Sequence, residues 1–255
     1  MDKKLINDYI EERAGAFTEI SDLSWEYAEL SMDEHRSAAL YVDFLQREGF
    51  EVSDQVVGIP TAFTAAYGTG KPVIGILAEY DALSSLSQKA GLTEKDPFVP
   101  GGNGHGCGHN LLGAGSLAAA VAVKRMIELG KLQGRVVLYG CPGEEGCAGK
   151  AFMARDGLFR DLDAALTWHP SDVNEVTTGS YAACLQIEYA FSGVAAHAAG
   201  CPDMGRSALD AAELMNVGVQ FLREHIKRTD SIHYSFLDTG GPDRKSTRLN
   251  SSHTS

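Results

Sequence analysis

Apolar residues recur at three- and four-residue spacing in the first fifty positions (Leu5, Tyr9, Ile10, then Ala38, Leu40, Tyr41, Phe44 and Leu45). That period predicts two amphipathic helices, over residues 5–31 and 33–49, the second closed by Gly49. Short apolar runs then alternate with helical stretches. Strands are predicted over 62–67, 72–78, 135–140 and 163–168, and helices over 111–129 and 149–159. Strands alternating with helices are the pattern of an α/β sheet. Beyond Gly179 the style changes to a longer alternating strand over 183–191, a helix over 207–226 and a strand over 231–237, as expected of part of a separate α+β domain.

The chain is thus read as an α/β catalytic-type domain over 1–179 and a partial α+β domain over 180–242. Residues 243–255, DRKSTRLNSSHTS, break with both, having Leu249 as their one apolar residue. Composition alone reads them as a disordered tail. Residues 243–253 also resemble the translation of a short-read sequencing adapter, so the tail is expected to be non-native.

With 255 residues, 44% hydrophobic and 22% charged positions, the chain can bury a full core. The formal charge of -12 argues against nucleic acid or an anionic membrane as partner. The N-terminus resembles neither a signal nor a transit peptide, and no run approaches a bilayer-spanning length of roughly 20 apolar residues. Five cysteines (Cys107, Cys141, Cys147, Cys184, Cys201) without framework spacing suit free thiols in a reducing compartment, so a cytoplasmic protein is expected.

The chemistry gathers where predicted strands end. Glu79-Tyr80-Asp81 follows one strand, Gly143-Glu144-Glu145 a second and His169 a third, while His105-Gly106-Cys107-Gly108-His109-Asn110 precedes a long helix. In open α/β sheets ligands bind beyond the carboxyl ends of strands, so these segments should meet. Cys107, His109, Glu145 and His169 are ligand types for zinc or manganese. Glu144 is then left as a general base beside a metal-bound water that attacks an amide carbonyl. Taken singly, Cys107 reads as a small buried hydrophobe, His169 as a backbone-bonded strand-end residue and the Glu-Glu pair as a solvated turn. Their coincidence at strand ends favours the metal. Neither a phosphate loop at 143–150 nor a serine-hydrolase elbow fits the spacing.

AEYDAL at 78–83, GHGCGHN at 104–110, PGEEG at 142–146, TWHP at 167–170 and HAA at 197–199 resemble, in order, the dinuclear-metal aminoacylase and carboxypeptidase family. The likeness is to its amidohydrolase branch of the p-aminobenzoyl-glutamate hydrolase type and covers residues 1–242. The resemblance implies a zinc-peptidase-like three-layer catalytic domain with a lid and dimerisation domain. It also implies two Mn2+ or Zn2+ ions on Cys107, His109, Glu145 and His169, Glu144 as base, and Asp81 orienting a ligand. His197 would reach into a partner's site to polarise the scissile carbonyl of a small N-acyl amino acid in a homodimer. Arg206 is a weaker candidate for the substrate carboxylate, a surface arginine at a helix start being the plainer reading. An aminopeptidase or dipeptidase of the same family, or a non-catalytic binding subunit, is the alternative. Family members continue past this length and carry one more metal-binding histidine, so the chain is expected to be a C-terminally truncated, inactive fragment. Ser84-Ser85 stands where the family commonly has proline.

Overall fold

The computed structural model describes residues 3–176, 178, 180 and 182–240, together with the backbone of 251–254. Residues 243–250 and 255 of the tail therefore lie outside the described residues. The chain divides into two units, Met1–Asn174 and Glu175–Ser255.

The first unit opens with α1 (Lys3–Glu12), α2 (Ala14–Tyr27) and α3 (His35–Arg47). The single helix expected over 5–31 is broken at Arg13, whose guanidinium is drawn to Glu48 and the Tyr9 hydroxyl. A strand missed in the sequence, β1 (Glu51–Asp54), follows, and then β2 (Phe63–Thr69), β3 (Val73–Ala78), α4 (His109–Glu128), β4 (Gly134–Gly140), α5 (Gly149–Arg155) and β5 (Ala164–Leu166). The last helix is shorter than expected because the chain turns at Gly157 with a φ of 86°.

These strands form one mixed sheet in the order β1-β2-β4-β3-β5, in which β3 pairs parallel with β4 on one side and β5 on the other. β1 and β2 pair antiparallel with each other and β2 does so with β4. Side chains alternate across the sheet with period two. Phe63 and Ala65 of β2, Ile76 and Ala78 of β3, and Val136 and Leu138 of β4 pack with α2, α3 and α4. Ala66, Val137 and Tyr139 face the other way, onto Cys141 just beyond β4 and Met153 of α5. Both faces are covered, which makes three layers and explains why these strands read as continuous apolar runs.

Contrary to the sequence expectation, one element, α4, is long and apolar enough to cross a membrane. Most of its residues are buried inside this unit, including Leu112, Leu117, Val121 and Met126, so its apolarity is that of a core helix packed on the sheet.

The second unit holds β6 (Glu188–Phe191), α6 (Ala208–Leu222), β7 (Ser235–Asp238) and β8 (Ser251–Thr254). Its sheet runs β6-β8-β7, antiparallel throughout. The strand expected over 183–191 is regular only from Glu188. The helix starts cleanly because the Ser207 hydroxyl accepts the Asp210 N–H, an N-cap.

Candidate metal centre

The chain leaves β3 for α4 and β4 on one side, then returns by α5 to β5 on the other, which makes the carboxyl end of β3 a topological switch point. Glu79 and Asp81 follow β3, Pro142–Glu145 follows β4 and His169 follows β5. Cys107 and His109 arrive from the loop that starts α4. Gly108, the N-cap of that helix, holds a φ of 76°, and a Cβ there would also press on Pro170 at 3.1 Å. At Gly113 a Cβ would stand 2.3 Å from the Tyr41 hydroxyl and 2.6 Å from the Glu79 carbonyl, so glycine lets α4 lie against the end of β3.

His109 is fully buried, and its Nδ1 faces the Asp81 carboxylate at 2.9 Å and the Asp81 carbonyl at 3.1 Å. That fixes Nδ1 as the protonated nitrogen and leaves Nε2 to face the site. The second Asp81 oxygen accepts the Ser31 hydroxyl at 2.8 Å and the Glu145 N–H at 2.9 Å. Burial would raise this carboxyl, but the bonds from His109, Glu145 and Ser31 hold it below the usual aspartate range. Asp81 therefore ties one histidine and the glutamate loop to a single rigid point.

The same loop is held from its other side by Glu34, a fully buried carboxylate that accepts the Gly143 N–H at 2.7 Å and the Thr61 hydroxyl at 2.9 Å. The Thr61 carbonyl in turn accepts the Tyr80 hydroxyl at 2.6 Å. Glu144, between the two anchored amides, is half-exposed. Burial and the Glu79 and Glu145 charges push its carboxyl above the ordinary value, while Lys150 and His109 pull the other way.

Three candidate ligand atoms, from Cys107, His109 and His169, lie within 4.8 Å of one another. The Cys107 thiol is 3.2 Å from His169 Nε2, and His169 Nδ1 donates to the Pro170 carbonyl at 2.9 Å, which again turns Nε2 inward. Trp168 beside it donates to the Leu112 carbonyl at 3.2 Å and seats the end of β5 on α4. Glu145 Oε1 stands 3.9 Å from His109 Nε2 without joining the trio as closely. His105, from the same motif, turns away to the Ser24 carbonyl at 3.0 Å, and Asn110 bonds the Ser21 hydroxyl; both dock the motif on α2.

Glu34 was missed in the sequence, and Glu79, though part of the 79–81 cluster expected at the site, was given no role there. Glu79 is buried, faces His109 Nε2 at 3.1 Å and pairs with Lys150 of α5. Its period-two relation to Asp81 beyond β3 was the available signal, since residues two apart leave a strand on the same side. Glu34 offered none, because its partners are 27 and 109 residues away.

Two buried polar atoms at this point, His109 Nε2 and Glu145 Oε1, lack a hydrogen-bond partner. Burying such atoms unsatisfied is costly, and a cation between them removes the cost. Burial and the Glu145, Glu144 and Glu79 carboxylates push the Cys107 thiol up to about 12, and a divalent ion bound to its sulfur would displace the proton. The donor set of thiolate, imidazole and carboxylate fits a divalent ion of the zinc or manganese kind.

In the second unit His197 is exposed, in a loop closed by the backbone bridge between Val194 and Arg206. Its Nδ1 accepts the Gly200 N–H at 2.9 Å and the Ala199 N–H at 3.2 Å, which leaves the proton on Nε2. Arg206 donates to the Asp203 carbonyl at 2.9 Å and the Gly205 carbonyl at 2.5 Å.

Residues 75–236 match the family described as Peptidase family M20/M25/M40. The chain is 48% identical over 238 residues to a p-aminobenzoyl-glutamate hydrolase subunit of Escherichia coli, covering 93% of this chain and 50% of that protein. It is 30% identical over 251 residues to the Xaa-Arg dipeptidase of Mus musculus, covering 94% and 54%. A dinuclear metal binding peptidase of the M20 family from Bacillus subtilis shares the fold, with a TM-score of 0.54, 20% identity, and coverage of 94% of this chain and 65% of that one. The chain spans about half the length of these curated relatives. The match over 75–236 carries the three strand-end clusters, the Cys107–His109 loop and most of the second unit, and the chain belongs to peptidase family M20/M25/M40.

Proposed function

We propose that the protein hydrolyses the amide bond of small N-acyl amino acids, p-aminobenzoyl-glutamate first among them, with two divalent metal ions, Mn2+ or Zn2+, and Glu144 as general base. The observation that carries this reading is the meeting of Cys107, His109 and His169 beside two anchored glutamates at one sheet edge. The 48% identity to a p-aminobenzoyl-glutamate hydrolase subunit supports the substrate. Bound ions would polarise the carbonyl and acidify the attacking water.

The protein's own part is positional. Asp81 orients His109 and the Glu145 amide, and His169 is oriented by the Pro170 carbonyl. Glu144, its carboxyl raised above the ordinary glutamate value, takes the proton of the attacking water and returns it to the leaving amine. His197 presents an Nε2 proton of the kind that stabilises a developing oxyanion, contributed across a homodimer. Arg206 spends a nitrogen on its own loop, which supports a loop-shaping role over capture of a substrate carboxylate. The free state of all five cysteines suits a cytoplasmic protein.

Hydrolysis of a panel of aromatic acyl amino acids by the manganese-loaded intact protein tests the proposal; no turnover on any of them overturns it. The likeness to an Xaa-Arg dipeptidase favours a second reading, decided by whether free-amine dipeptides are cleaved in preference to acylated amino acids.

A further inference from the structure

Among the described residues, Glu79 is the one buried carboxylate at the sheet edge with no task in this scheme. It is 6% exposed, and Oε2 lies 3.1 Å from His109 Nε2, yet that nitrogen makes no hydrogen bond. With the Nδ1 proton committed to Asp81, Nε2 presents a lone pair. A carboxylate oxygen this close to Nε2 calls for a cation between them, a proton or a metal ion. Burial would lower the His109 imidazole, but the Asp81, Glu79 and Glu145 carboxylates raise it and draw a cation to this point. Two donor atoms each about 2.1 Å from one tetrahedral ion sit about 3.4 Å apart, close to the separation found here. Oxygens of Glu79 and Glu144 and the His109 nitrogen lie within 4.8 Å of one another, forming a second trio. The other Glu79 oxygen is paired with the Lys150 ammonium, the kind of outer hydrogen bond that ligating carboxylates receive.

We propose that Glu79 is an oxygen ligand of the metal centre and that Lys150 is the residue that positions it. The inference rests on the metal-centre reading and extends it. Lys150 serves better than a neutral partner because it holds Oε1 on the α5 side and turns Oε2 toward His109. A second carboxylate beside Glu145 also hardens the centre, which moves its preference toward manganese.

The test titrates metal-free protein with manganese(II) and, separately, with zinc(II), by calorimetry with elemental analysis of bound metal, for the wild type, Glu79→Gln, Lys150→Gln and the double variant. Glu79→Gln is expected to weaken manganese binding by about tenfold or more, or to lose one equivalent, and Lys150→Gln to weaken it less. The double variant removes both partners of the ion pair, so it recovers thermal stability but binds as weakly as Glu79→Gln. Should Glu79→Gln unfold, the double variant decides. Wild-type affinity in the double variant would reduce Glu79 and Lys150 to a structural ion pair and overturn the proposal. A wild type that takes up no manganese or zinc would instead overturn the metal centre itself.

Discussion

The two units handle polar side chains in opposite ways. In the first, His109 and Asp81 are almost wholly shielded from solvent, and each is fixed by partners from distant parts of the chain. In the second, the candidates His197 and Arg206 are exposed and bonded to their own loop. The first unit buries apolar residues on both faces of its sheet, whereas only Ala208, Ala212 and Asn216 are buried in α6, and Leu214, Val217 and Phe221 remain exposed. A densely packed unit can hold charged groups in costly positions and so tune them. A thinly packed one can present groups to a site but cannot perturb them.

The contrast is sharpened most by Glu144→Gln, which is expected to lower kcat by about 10²–10⁴ with little change in melting temperature, as measured by steady-state kinetics beside a thermal melt. His197→Ala is expected to cost about 10²–10³ in kcat with KM and stability nearly unchanged. An effect confined to KM would show that the second unit binds substrate without taking part in the chemistry. Asp81→Asn should weaken metal binding about 10–100-fold in a competition assay with a chelator, because it frees both His109 and the Glu145 amide.

A smaller effect concerns the first unit away from the site. Glu48 bonds Arg13 in a partly buried pair, and that hydrogen bond holds the Glu48 carboxyl below the ordinary glutamate value. A depressed carboxylate contributes stability above its unfolded pKa and loses it as pH falls through the folded one. Glu48→Gln is therefore expected to cost about 1–2 kcal/mol at neutral pH, and the difference from wild type should shrink in acid-range denaturant melts.

The alternation of strands and helices was legible because strands buried on both faces and a 20-residue core helix leave long apolar runs. The site was legible where chemistry-bearing residues stand directly after such runs, as with Asp81, Glu144, Glu145 and His169. Glu34 and Lys150 were not, since their roles depend on partners 109 and 71 residues away in the chain. β1 was missed because its four residues, Glu51–Asp54, include a single apolar one, Val52. The break at Arg13 was missed because it reflects pairing with Glu48, 35 residues on.

The central claim is that the ends of β3, β4 and β5 together with the start of α4 build a metal centre that includes the Cys107 sulfur. X-ray absorption at the zinc edge, on protein loaded with one equivalent of zinc, tests it most directly. The account predicts a sulfur shell at about 2.3 Å beside nitrogen or oxygen at about 2.0–2.1 Å, the sulfur being lost in Cys107→Ser. A spectrum with only oxygen and nitrogen neighbours, unchanged by Cys107→Ser, would contradict it.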